Sequence, residues 1–193
     1  MLFKSRYLHL DLKTQTHSIG ETSPELMNLD LTPENIAKKL VEEKRENISE
    51  GDVLLINMPY DQENYPQGWL VTHMKDLKTI RLYHYPERFA NALHRSTFDY
   101  IIISGSSDEP VYVYLSDMLV LFENPEEIQG LAPAQAANKL VENHPWVEPE
   151  VMIAGSDSTL NFISDRYSLP GLGAALAAKK MLALVVDGSD PES

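Results

Sequence analysis

One segment of this chain occurs twice. Leu31-Thr32-Pro33-Glu34-Asn35-Ile36-Ala37-Lys38-Lys39-Leu40-Val41-Glu42 returns as Leu131-Ala132-Pro133-Ala134-Gln135-Ala136-Ala137-Asn138-Lys139-Leu140-Val141-Glu142, with Leu, Pro, Ala, Lys, Leu, Val and Glu matching at a constant offset of 100. A repeat held at one spacing constrains the chain to build similar units, so it precedes any assignment of elements. Each copy predicts a helix. Proline sits in the first turn, where its missing N–H costs nothing, and Thr32 is placed to cap the first copy. Ile36, Ala37, Leu40 and Val41 share one helical face, as do Ala136, Ala137, Leu140 and Val141, and both faces are expected to pack on a sheet.

Strand-like segments flank the two copies. Tyr7-Leu8-His9-Leu10-Asp11-Leu12 precedes the first, and Val111-Tyr112-Val113-Tyr114-Leu115 with Leu119-Val120-Leu121-Phe122 precedes the second. Val53-Leu54-Leu55-Ile56-Asn57 follows the first helix and Val151-Met152-Ile153-Ala154 the second, as short buried strands do. Phe98-Asp99-Tyr100-Ile101-Ile102-Ile103 reads as a further strand, and Leu182-Ala183-Leu184-Val185-Val186 as the last. Strands outnumber helices and do not alternate with them one for one, which predicts an α+β fold, not a doubly wound sheet. The expected organisation is one domain over 1–193, an internal duplication of strand-helix-strand halves at about 6–97 and 98–188, and a frayed tail at 189–193.

Charge narrows the function classes. Sixteen Lys and Arg face 29 Asp and Glu, a net charge of −13 in 193 residues. That balance opposes the phosphate neutralisation behind nucleic-acid binding and the attraction to anionic membranes, and no apolar run approaches the ~20 residues of a membrane span. The absence of cysteine excludes disulfides, zinc fingers, thiol catalysis and Cys-ligated iron–sulfur clusters. The six histidines never stand in HxH, HxxxH or HExxH spacing, so no metal site is expected; His73, His84 and His94 are the one group in a single stretch. The opening Met1-Leu2-Phe3-Lys4-Ser5-Arg6 lacks the pattern of a secretory signal, which predicts a cytoplasmic protein.

The order of segments resembles a known family. Phe98-Asp99-Tyr100-Ile101-Ile102-Ile103-Ser104-Gly105 followed by Glu109-Pro110-Val111-Tyr112 is similar to the "YDAI(I/V)(I/V)EG…EPVY" stretch of the N-terminal domain of tungsten-containing aldehyde:ferredoxin oxidoreductases. The stretch from Gly171-Leu172-Gly173 to Asp187-Gly188 resembles that domain's "GxGAVMGSKNLKAIAVEG" ending, and Tyr7-Leu8-His9-Leu10-Asp11-Leu12-Lys13-Thr14 its "ILRVNLTTG" start. The resemblance spans roughly residues 6 to 188. It implies a platform beneath a metal held by two pterin dithiolenes, built from two similar halves. The iron–sulfur cluster of the family's helical domains would need cysteines that this chain lacks.

Set against that family, the contacts to the pterin are altered. His84-Tyr85-Pro86-Glu87 stands where the family has Asn-Ser-Gly-Gly, and proline and glutamate hinder backbone approach and repel phosphate. Asp165-Arg166-Tyr167-Ser168-Leu169-Pro170 stands in place of "RAAGRG", which puts Asp165 where an arginine would pair with phosphate unless a one-residue shift supplies Arg166. The family's "GGRY" loop falls near Gly68-Trp69. The residues of this altered groove are Trp69, His84, Tyr85, Arg88, Arg166, Gly171 and Gly173. Gly171-Leu172-Gly173 is expected to turn into a short helix over Ala174–Lys180, the family's glycines supplying its phosphate-binding alternative. Trp146 is expected to cover the second sheet, and Asp99 and Glu109 to serve the fold.

The expectation is a non-catalytic accessory or binding subunit with no catalytic residues and no cofactor. Its partner would be a second copy or a catalytic or electron-transfer oxidoreductase subunit. An oxidoreductase component that still holds tungstopterin or molybdopterin is the alternative, and small-molecule binding in the vacated groove a third reading.

Overall fold

The computed structural model describes residues 6–23, 33–43, 51–58, 67–75, 79–116, 119–145, 147–155, 159–162, 167–169 and 173–187. In chain order the elements are β1 (Arg6–Asp11), β2 (Thr16–Glu21), α1 (Pro33–Glu43), β3 (Val53–Met58), β4 (Gln67–Lys75), β5 (Thr79–Tyr85), α2 (Glu87–Arg95) and β6 (Tyr100–Ser104). They continue with β7 (Val111–Leu115), β8 (Val120–Glu123), α3 (Pro133–Asn143), β9 (Pro149–Ala154), β10 (Leu160–Phe162), β11 (Tyr167–Leu169), α4 (Gly173–Ala178) and β12 (Met181–Asp187).

Among the described residues these strands form two six-stranded sheets. The first has the order β2-β1-β6-β3-β4-β5 and the second β11-β10-β9-β12-β7-β8. Read from its other edge the second is β8-β7-β12-β9-β10-β11, so the two agree strand for strand. In each, the first strand pairs parallel with the last, β1 with β6 and β7 with β12, and the other pairs run antiparallel. Mixed sheets with four helices make the α+β class expected from the sequence. β6 lies between β1 and β3, so the first sheet runs through Ser104 and the division between sheets falls between Ser104 and Val111.

Alternation along the strands builds the layers. Leu8, Leu10, Val53, Leu55, Ile101 and Ile103 of the first sheet, with Leu12 just past β1, join Val111, Val113, Leu115, Met152, Leu184 and Val186 of the second in one buried cluster. Phe89 and Leu93 of α2 and Leu176 of α4 enter the same cluster. The opposite face of the second sheet, Tyr112, Tyr114, Val151, Ile153, Ala183 and Val185, packs on Ala136, Ala137 and Leu140 of α3. In the first sheet Leu54, Ile56 and Ile102 are also buried, and α1, whose Ala37 and Leu40 are buried, contacts β3, β4 and β5. Strands covered on both sides must be apolar at every position, which is why Tyr100-Ile101-Ile102-Ile103 shows no alternation.

Both repeated segments are helices of 11 residues beginning at proline, as the spacing predicts. One detail differs. Val141 is 38% exposed while Ala136, Ala137 and Leu140 are buried, because three residues spanning little more than one turn already cover the sheet and Val141 falls at the rim of that stripe. Trp146 lies outside the described residues, as does the tail at 189–193.

Candidate functional site

The turn from β5 into α2 carries three of the sequence-derived positions. Period-2 alternation at the end of β5 leaves His84 exposed and buries Tyr85 completely. Across the β4–β5 ladder the backbone of Trp69 lies opposite His84, and Gly68 opposite Tyr85. Pro86 follows at φ −59° and ψ 151°, and its carbonyl accepts the Ala90 N–H at 2.9 Å, which starts α2 without a side-chain cap. Glu87 stands in the first helical turn, where its charge complements the helix dipole, and Arg88 is exposed beside it.

Tyr85 is a core residue. Its hydroxyl donates to the Ile56 carbonyl at 3.0 Å, and burial pushes its phenol far above the ordinary tyrosine range. Its ring lies edge-on to Phe89 at 5.5 Å and 6.5 Å from Phe162, while Phe89 meets Phe162 edge-on at 5.2 Å. The three rings come from β5, α2 and β10, so two belong to the first half and one to the second sheet. Together they close the seam between the sheets at this point, with Phe89 1% and Phe162 2% exposed.

Of the remaining positions, Gly173 lies where the equivalent connection of the second sheet, from β11, enters α4. Phe162 pairs with Tyr167 in the β10–β11 ladder. Arg166 and Gly171 lie outside the described residues, and Gly173 is the buried first residue of α4, a helix of 6 residues in place of the expected Ala174–Lys180. The described positions thus fall at corresponding strand-to-helix connections, together with the strand that pairs with one of them. The structure brings His84, Tyr85 and Arg88 onto one turn, sets the Trp69 backbone beside it, and packs Tyr85 on the strand next to β11. His94 is half-buried in α2, and the side chain of His73 is not among those described. Among the described residues no three His, Asp or Glu side chains come together as a metal set. Among them also, no helix is long and apolar enough to cross a membrane.

Sequence reasoning missed α2 as an element, although Phe89, Ala90 and Leu93 after Pro86 carry its helical spacing. It also missed a buried ion pair, Lys179 with Asp52, because a Lys-Lys doublet after a short helix has no local mark separating it from a solvated one. Asp99 serves the fold: it is buried and accepts a hydrogen bond from the Thr22 hydroxyl at 2.7 Å.

With this architecture in view, comparison with known proteins gives one family match, the aldehyde ferredoxin oxidoreductase N-terminal domain, over residues 7–188. The chain belongs to that family. No curated protein matches it. Among solved structures it is similar in fold to a chain described as "Active site complex BamBC of Benzoyl Coenzyme A reductase in complex with 1,5 Dienoyl-CoA", with a TM-score of 0.79 at 18% sequence identity. The alignment covers 98% of this chain and 32% of that one, so this aldehyde ferredoxin oxidoreductase N-terminal domain spans about a third of the length of the chain it matches.

Proposed function

We propose that this family member is a non-catalytic accessory or binding unit, a cofactor-cradling domain that does not itself hold a pterin. One observation carries the reading: Tyr85, Phe89 and Phe162 fill the seam between the sheets beside the turn that would have to admit the cofactor. A pterin phosphate needs a backbone that can be approached closely and a positive partner. On the β5–α2 turn Pro86 offers no N–H and Glu87 presents a carboxylate, so the described residues there do not suit the group. Arg88 is the one cation on that turn, and it stands directly beside Glu87.

The corresponding strand orders support reading the two sheets as duplicated copies of one unit. The partner on this reading is a catalytic or electron-transfer oxidoreductase subunit, or a second copy of the chain, in the cytoplasm. The similar chain is part of the BamBC complex, which favours a different subunit over a second copy.

Metal analysis and pterin fluorescence on protein purified from its native host test the assignment. Tungsten and molybdenum well below one per chain, with no pterin fluorescence after acid release, are expected. A stoichiometric metal with released pterin would overturn the accessory reading in favour of a cofactor-holding oxidoreductase component. Size-exclusion chromatography with light scattering separates self-association from a subunit awaiting another partner.

A further inference from the structure

A second feature lies on the far side of the second sheet. After β8 the chain makes a tight turn in which the Glu126 N–H donates to Asn124 Oδ1 at 3.0 Å and the Ile128 and Gln129 N–H groups both donate to the Pro125 carbonyl at 2.9 Å. Beneath this turn is a pocket of about 290 Å³ walled by Tyr112, Glu126, Glu127, Ile128 and Asn143. A larger pocket of about 600 Å³ adjoins it across Asn124, Pro125 and Glu126, and adds Glu109 and Glu123.

Tyr112 makes this more than a run of surface acids. Its side chain is only 6% exposed, yet it lines the smaller pocket, and no described residue hydrogen-bonds its hydroxyl. The hydroxyl itself is not sealed from solvent, so a donor that enters the pocket can reach it. Glu123 lies directly opposite Tyr112 in the β7–β8 ladder. Burial first, then the fields of Glu123 and Glu127, pushes the phenol above its ordinary range, so it stays neutral and keeps a lone pair to offer.

We propose that this pocket binds an organic cation, a primary ammonium or a guanidinium group. Glu126 and Glu127 supply the charge, the Tyr112 ring and hydroxyl receive the cationic head, and Ile128 and Pro125 cover an alkyl stem. Lys139 already stands 3.4 Å from Glu127 and 4.0 Å from Glu142, with its side chain 40% exposed, and Asn143 donates to Glu127 at 3.5 Å. An exposed pair of this kind holds only weakly, so a ligand can displace Lys139. The site is independent of the family's cofactor groove and does not depend on the accessory reading.

The test is titration of the full chain with butylammonium chloride, followed by tyrosine and amide chemical shifts, against sodium chloride and calcium chloride at equal ionic strength. Saturable shifts confined to Tyr112, Glu127 and Asn143 are expected. Tyr112→Phe and Glu127→Gln should each weaken binding about threefold to fivefold, and Lys139→Gln should tighten it. Glu127 is exposed, so its variant reports on binding even if a change at Tyr112 disturbs the fold. A Gly-Lys-Gly peptide run in parallel assigns the source: tighter binding than butylammonium indicates a lysine of a partner protein, weaker binding a free amine. No saturation by about 20 mM of either probe, equal affinity in all variants, or matching shifts with calcium would overturn the proposal.

Discussion

Lys179 and Asp52, 127 positions apart in sequence, meet as a buried ion pair, Nζ to Oδ1 at 2.8 Å, with side chains 8% and 3% exposed. The same Nζ donates to the Gly105 carbonyl at 3.0 Å. The pair therefore ties the turn after α4 to the start of β3 and to the loop leaving β6, which joins the second half of the chain to the first. Removing one partner leaves a charge stranded in the interior. Lys179→Met should cost roughly 3–5 kcal/mol in urea unfolding, while Lys179→Met with Asp52→Leu should recover most of the loss, because two apolar groups of similar volume need no water. Equal stability for the single and double variants would show that the pair carries no such coupling.

Alkaline titration reads the aromatic seam. Tyr85 is fully buried, so its native state keeps the phenolic proton above the ordinary value of 10.0 at which an unfolded chain releases it. The unfolded state then binds fewer protons, and stability falls as pH rises above about 10. Below that pH the contribution is fully present. Ultraviolet difference titration should find Tyr85 among the tyrosines that ionise only together with unfolding, and Tyr85→Phe should remove its part of that step at a cost of about 1 kcal/mol for the lost bond to Ile56.

The acid side depends on His144. Its ring stacks on Tyr114 at 4.6 Å and meets Tyr112 edge-on, and burial lowers its pKa below 6.5 while Glu123 opposes the shift. The unfolded chain takes up this proton first as pH falls, so the contribution is present above about 6.5 and is lost below it. Stability measured between pH 7 and 5 should decline, and His144→Gln should flatten the decline. An unchanged slope in that variant would assign the acid loss to other groups.

Gly105 adopts φ +68°, and a Cβ there would stand 3.0 Å from Asp11 Oδ1 and 3.2 Å from the Lys13 nitrogen. Gly105→Ala combines left-handed strain with a contact to backbone, so a loss of roughly 1–2 kcal/mol is expected in thermal unfolding. A rise in Tm would mean that the loop relaxes at no cost.

Much of the fold was legible along the chain. The helices at Pro33–Glu43 and Pro133–Asn143 announce themselves through an N-terminal proline and a 3.6-residue stripe, and Val53–Met58, Val111–Leu115 and Met181–Asp187 through apolar β-branched runs. Each of these signals is local, complete within one turn or one strand. The strands of the β4–β5 and β10–β11 hairpins were not read from the sequence: Thr79–Tyr85 alternates only in part, and no recognisable turn motif marks the hairpins off.

The candidate site divides in the same way. Residue order placed His84, Tyr85 and Arg88 on one connection, and family resemblance drew attention to it. Only the packed molecule decided that Tyr85 turns inward onto Phe89 and Phe162, that β6 pairs between β1 and β3, and that Lys179 reaches Asp52. Periodicity fixes which face of an element is apolar. Which other element meets that face is chosen by contacts between residues distant in sequence, and no short stretch of chain carries that information.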